Sequence, residues 1–461
     1  MKPDTNKPLS KPYPVFDCDA HITESPDQWN YLTEKELEEV RPWYYPEGNN
    51  LMVNGIIGTQ AIWVRGRKGY EWGPLKAPRG VSTVELSGPG LGKEMKRKLY
   101  SMNLTEEQCE YVWHKGARDP HARVKDLDLM GIDQVMVIPL RMVSHFLFVK
   151  NHRAAALVAR SYNDWVWDWC SAHPDRLYPA ACIPAHNPEM AADEIRRVAK
   201  RGFKVILIRP IDVAGNYPIR PATAPMWRAV EETGIVVGMH QLIAPGGPDR
   251  GLFSGYGDLD GGHQWSPGTL VARAENQKQI SSNGQSLSFV HEGKTWVANV
   301  LLSGFLEKYP KLKKMAVMES NAGWLPHVLD ECDKIFKLYK NERNVKVTRL
   351  PSEIFFERFS IAFEADETPV YKQHQYYKEV GIWSSDAYHH DGADAWTAIR
   401  EMQAVKVPVD VQAKLMGSNA ARMYGIAQKN FVTDEPASYP RPDWFPREAD
   451  VKKEYAHLKR A

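Results

Sequence analysis

The stretch VFDCDAHITE, residues 15–24, sets Asp17, Asp19 and His21 at alternate positions, with Glu24 just beyond. Alternate residues of a strand share one face, so this spacing predicts two carboxylates and an imidazole side by side. Burying such a group is costly unless a cation neutralises it. Donors of the same kind end other apolar runs: His240 closes IVVGMH, Glu319 closes KMAVME and Asp386 closes VGIWSSD. Each has an ordinary explanation alone, as a hydrogen-bonded histidine, a first-turn helix acid or a turn-forming aspartate. Donors at four separate run ends instead predict a shared centre for divalent Zn, Mn or Fe, because the set mixes imidazole with carboxylate. With no cysteine in the set, a structural zinc site is disfavoured. Arg209 ends a further run; its planar fork suits a carboxylate, and a salt bridge to a rim acid is the alternative.

The strands and helices that carry these residues follow from periodicity. Short apolar runs at 14–19, 134–139, 178–183, 203–208, 235–240, 314–319, 358–363 and 380–386 predict strands. Helical patterns near 151–172, 188–200, 224–232, 296–308, 323–340, 366–378, 392–403 and 410–424 alternate with them. Eight of each predict an α/β fold, a (β/α)8 TIM barrel whose strand ends form one mouth. An open doubly wound sheet is the rival, and no GxGxxG follows the first strand. Residues 30–120 and 242–290 break the alternation as long insertions after strands 1 and 5, expected to cover the mouth. Residues 1–13 read as an N-terminal tail, 14–428 as the barrel, and 429–461 as a Pro-rich, charged C-terminal arm suited to packing on a neighbouring subunit.

Composition narrows the classes. The 461 residues carry a formal net charge of +2, which supplies no basic field for nucleic acid or anionic membrane. Five scattered cysteines without a CxxC pair predict reduced thiols in a cytoplasmic protein. The N-terminus has no apolar core of a signal peptide, and no window is long and apolar enough for a membrane span.

The pieces FDCDAHITE, PHARVKDLDLMGIDQVMVIP, SYNDWVWDWCSAHPDRLYPAACIP, LLSGFLEKYPKLKKMAVMESNAGWLPHVLDECDK, SSDAYHHDG and KLMGSNAARMYGI occur in one order along the chain. Together they resemble the amidohydrolase superfamily, in the branch that holds the aminocarboxymuconate-semialdehyde and aromatic-acid decarboxylases. The resemblance implies a metal-dependent barrel enzyme. It places Asp19 where the usual first histidine of a DxHxH motif sits, and His21 where the second sits. It carries the strand-5 histidine to His240 and the strand-8 aspartate to Asp386, and it sets Glu319 where relatives have a histidine. Glu24 adds a further acid, His291 of HEGKTW falls where similar sequences often carry a histidine, and His389 matches the histidine of an SDxxHxD pattern.

Such a centre implies hydrolysis or non-oxidative decarboxylation of a small carboxylic-acid substrate. Asp386, His291, His389 and Arg209 are the candidate acid–base and anchoring groups, and Asp19, His21, Glu24, His240, Glu319 and Asp386 the candidate metal ligands. The surplus of carboxylates leaves one or two metals per chain open, and with two a dinuclear Fe or Mn oxygenase is the alternative. A homo-oligomer is expected. A structural subunit paired with an active paralogue in a hetero-oligomer is the non-catalytic reading.

Overall fold

A computed structural model of the chain describes residues 7–44, 63–66, 69–72, 93–240 and 289–456, apart from short gaps at 103, 106–107, 109–110, 112–114, 141, 143–150, 313, 342–346 and 390–391. All eight expected strands form: β1 Phe16–Ile22, β2 Gln134–Pro139, β3 Leu177–Cys182 and β4 Val205–Ile208, then β5 Val236–His240, β6 Met315–Met318, β7 Phe359–Phe363 and β8 Gly381–Trp383. Each pairs in parallel with the next in chain order. A parallel bridge between Ala20 and Ala387 closes the ring; His21 N–H donates to Ala387 at 3.0 Å and Asp386 N–H to Asp19 at 3.1 Å. Sequential parallel pairing that closes on itself is the TIM barrel, and excludes the open sheet.

Two apolar layers hold it. Phe16, Cys18, Met136, Ile138, Val205, Leu207, Ala316, Met318 and Ile382 fill the interior, and Met423, Tyr424 and Ile426 join them after the last strand. The opposite strand faces, with Val135, Val137, Ile206, Val237, Val317 and Ile361, pack on the helices. Burial on both faces explains why the strands read as continuous apolar runs, each large aliphatic side chain contributing about 1.5–3 kcal/mol.

The helices depart from the expected spans for local reasons. The helix expected at 296–308 starts earlier, as Phe289–Leu302, and a second short turn, Phe305–Lys308, follows Gly304, whose φ of 75° ends the first. Pro120–Met130 and Pro351–Arg358 are helices that the alternation missed, each with proline in its first turn. The 410–424 helix is interrupted by a π-helical turn, Lys414–Ser418. Within the first insertion, Glu34–Tyr44 and Lys93–Ser101 are helical, and Trp63–Gly66 pairs with Gly69–Trp72 as an antiparallel ribbon. The second insertion, 242–290, lies outside the described residues except at its last two positions, which begin the Phe289–Leu302 helix.

The C-terminal arm has partners within its own chain: Lys11 N–H donates to Thr433 and Glu435 N–H to Leu9, each at 2.8 Å, while Phe445 and Val451 pack against Met95 and Leu99. The N-terminal residues from Leu9 are tied down by the same contacts. No helix among the described residues is long and apolar enough to cross a membrane.

Candidate metal centre and active site

One extra residue in β1 builds the site. Asp17 pairs with Val135, but Ala20 pairs with Val137 and His21 with Ile138, so the register shifts between Asp17 and Ala20. Val135 faces the helices and Ile138 the interior. Asp17 and His21 therefore lie on opposite faces, which overturns the simple alternation; a bulge of this kind re-aims the side chains beyond it. Asp17 supports the mouth from outside. It accepts from Asp19 N–H at 3.1 Å, from Ser385 N–H at 2.9 Å and from the Ser385 hydroxyl. Burial pushes its carboxyl up to about 7.

Past the bulge, Asp19 and His21 meet the ends of β5, β6 and β8. Asp19 Oδ2 lies 3.3 Å from His240 Nε2, and its Oδ1 lies 3.9 Å from His21 Nε2. His21 Nε2 stands 3.0 Å from Asp386 Oδ1, whose Oδ2 is 2.7 Å from His389 Nδ1. Two donor groups result, Asp19–His21–His240 and His21–Glu319–Asp386, each within 4.8 Å and sharing His21. Four of the six non-glycine residues with positive φ among the described residues are here: Glu319 (50°), Asn321 (53°), Asp386 (47°) and Tyr388 (69°). Strain of this kind persists where surrounding structure fixes it, and it gathers at functional sites.

The protonation pattern asks for a cation. His21 Nδ1 sits 3.2 Å from the Pro139 carbonyl, an acceptor, so Nδ1 carries the hydrogen and Nε2 is left with a lone pair. Burial holds the ring's pKa down to about 3, so it is neutral at ordinary pH. That lone pair points at carboxylates, and Asp19 Oδ1, 3.9 Å away, accepts no hydrogen bond among the described residues. Acceptors aimed at one another in a buried site fit a bound cation. Burial pushes the Asp19 carboxyl up, but His240 outweighs it and holds it below the ordinary value. Burial, then the neighbouring Asp386 charge, drive Glu319 well above its own.

The remaining candidates fall elsewhere. Glu24 joins neither donor group; its Oε1 accepts Met142 N–H at 2.9 Å, and its charge acts on Tyr162 and Cys182. His291 is half-buried and outside both groups, its pKa lowered by burial and by Lys294. The acid beside it, Glu292, is fully buried and ion-paired with Arg209: Nη2 donates to Oε1 at 2.9 Å and Nε to Oε2 at 3.4 Å. Arg209 thus has a salt bridge, as in its alternative role, but to a buried acid and not to one on the rim. Glu292 could have been found by phase, because 289, 292, 293, 296, 297 and 300 are one buried helical face and 291 is off it. Arg123 carried no such signal. Fully buried, it donates to the His21 carbonyl at 2.6 Å and to Gly116 at 2.7 Å, and lies 4.1 Å from the Tyr388 ring centre. It therefore ties the end of β1 to the loop after β8.

Comparison with known proteins bears on the family and the fold. Gamma-resorcylate decarboxylase of Rhizobium sp. (strain MTP-10005) is 25% identical over 196 residues, 41% of this chain and 52% of that protein. Its counterpart from Rhodococcus jostii (strain RHA1) is 24% identical over 200 residues, 41% and 53% of the two chains. The chain thus spans about half the length of the curated relatives it matches. Among solved structures, an amidohydrolase from Mycobacterium avium subsp. paratuberculosis K-10 superposes with a TM-score of 0.62 at 17% identity, covering 90% of this chain and all of that one. A 5-carboxyvanillate decarboxylase from Novosphingobium aromaticivorans DSM 12444, complexed with manganese, gives 0.56 at 16% identity, covering 90% and 97%. These likenesses carry the fold. The family model described as amidohydrolase matches residues 16–332, from the first residue of β1 to beyond β6, and on that match the chain belongs to the amidohydrolase family.

Proposed function

We propose that the protein is a metal-dependent enzyme acting on a small carboxylic acid by non-oxidative decarboxylation, with hydrolysis as the other outcome the centre supports. The observation that carries this reading is the neutral His21 Nε2, 3.0 Å from Asp386 Oδ1 and facing Asp19 in a buried site. Asp19, His21, His240 and Asp386 would hold the ion. Bound there, a divalent cation polarises a carboxylate or a water molecule. His389 and Asp386, in contact at 2.7 Å, are the pair that holds and moves the proton, delivering it to the carbon that loses CO2 or taking it from water. The resemblance to decarboxylases, one of them manganese-bound, supports this chemistry and manganese as the first ion to test. The buried thiols Cys18, Cys170 and Cys182, outside any disulfide, support a cytoplasmic setting.

The second donor group, His21–Glu319–Asp386, favours a two-metal variant of the same site, and with it an oxygenase. Elemental analysis combined with CO2 release separates the readings. We expect about one manganese per chain, CO2 from a hydroxybenzoate panel that includes 2,6-dihydroxybenzoate, and a loss of at least about a thousandfold in Asp386→Asn with the fold intact. Two irons per chain with oxygen consumption would instead establish the oxygenase. Full turnover by Asp386→Asn would place the chemistry elsewhere.

A further inference from the structure

Beside the donor cluster runs a cleft walled by Met142, Cys182, Leu207, Ile208, Ile211 and Met226, with His240 and Arg209 in the same wall. Among the described residues the wall is mostly apolar, with Asn216 and Thr223 as its uncharged polar members, and the charge that Arg209 brings is already answered. Glu292 meets the guanidinium through both carboxylate oxygens, at 2.9 and 3.4 Å, with the two side chains 2% and 0% exposed. Burial pushes the Glu292 carboxyl up, and Arg209, then His240, act against that rise and favour its charged form. A paired fork offers a ligand no net positive charge, and an anion arriving there meets the Glu292 carboxylate as a like charge in a poorly solvated place.

We infer that the Arg209–Glu292 pair determines specificity: it admits acids with a single carboxylate, held at the donor cluster, and an uncharged body in the cleft, and it rejects diacids. The inference rests on the metal-dependent reading of the site. Of the two roles the sequence leaves open for Arg209, it takes the salt bridge, since the guanidinium here serves Glu292 and not the substrate carboxylate. Glu292→Gln keeps the shape of the pair and removes its negative charge, so the repulsion of a second carboxylate is lifted and the Arg209 charge is no longer offset by Glu292.

The test uses the manganese-loaded full chain at about pH 8, where carboxylates are ionised, with benzoate and isophthalate as probes in isothermal titration. The wild type should prefer benzoate by at least about tenfold, and Glu292→Gln should erase that preference by tightening isophthalate about tenfold or more. Because Glu292→Gln leaves a buried cation exposed to unfolding, Arg209→Met/Glu292→Leu is the second probe. Neutral and of similar volume, it should keep the wild-type direction of preference. The inference fails if the wild type binds isophthalate as tightly as benzoate, or if Glu292→Gln leaves the ratio unmoved. It fails equally if Glu292→Gln tightens benzoate by the same factor, which would mark Arg209 as the primary carboxylate anchor. Absence of manganese uptake would instead sink the functional reading, and this inference with it.

Discussion

His21 is held neutral by its surroundings, and that has a measurable sign. The ring's folded pKa of about 3 is below the model-peptide value of 6.5, so the unfolded chain takes up a proton that the folded chain refuses. The stability this contributes is fully present above about pH 6.5 and is lost as pH falls toward 3. In metal-free protein, the wild-type advantage over His21→Gln in urea titrations should shrink by up to about 1.4 kcal/mol per pH unit across that window. A flat difference would show that the ring is charged in the fold. Residue type and strand-end position made Asp19, His21, His240, Glu319 and Asp386 legible in the sequence, because apolar runs rarely end in ligand groups by accident. Glu24 carried the same signal without joining the cluster: it lies past the strand, where spacing no longer fixes direction, and Met142 N–H occupies one of its oxygens.

The loops and bulges that aim these residues left no pattern to read. Alternation in β1 carries no mark of an inserted residue, so Asp17 and His21 read as one face although the bulge separates them. At the other side of the mouth, the turn after β8 depends on close backbone approach. A Cβ on Gly392 would lie 2.3 Å from the Asp386 carbonyl, and Ala393 N–H donates to Ser385 at 2.8 Å in the same turn. Gly392→Ala should therefore displace Asp386 and weaken manganese binding by roughly 10–100-fold, as support-residue changes around metal ligands do. Equilibrium dialysis measures this, and unchanged affinity would show that the turn is compliant. Phase errors explain the choice of His291 over Glu292, since one step along a helix turns a side chain by 100° from the face that packs.

Across the whole molecule, the barrel was legible because eight apolar runs separated by helical periodicity admit few other closures, while the insertions and the arm have no period to betray their packing. Asp133 shows how the ends are joined. Fully buried just before β2, it accepts Lys11 Nζ at 2.6 Å, Val15 N–H at 2.7 Å, Phe431 N–H at 2.5 Å and Val432 N–H at 2.8 Å. Asp133→Ala strands a buried ammonium and three backbone donors, and should cost about 3–5 kcal/mol in a urea titration. A loss below about 1 kcal/mol, the scale of an exposed pair, would show that water replaces the carboxylate.

The arm that continues from those contacts has a consequence for how the protein is made. Met95 and Leu99 on the Lys93–Ser101 helix find their apolar cover in Phe445 and Val451, and Lys98 pairs with Glu454, 356 positions downstream. A ribosome therefore exposes that greasy face long before its cover is synthesised. Throughout that interval the face is open to association with other chains, and premature termination before Phe445 would release a polypeptide with that surface uncovered.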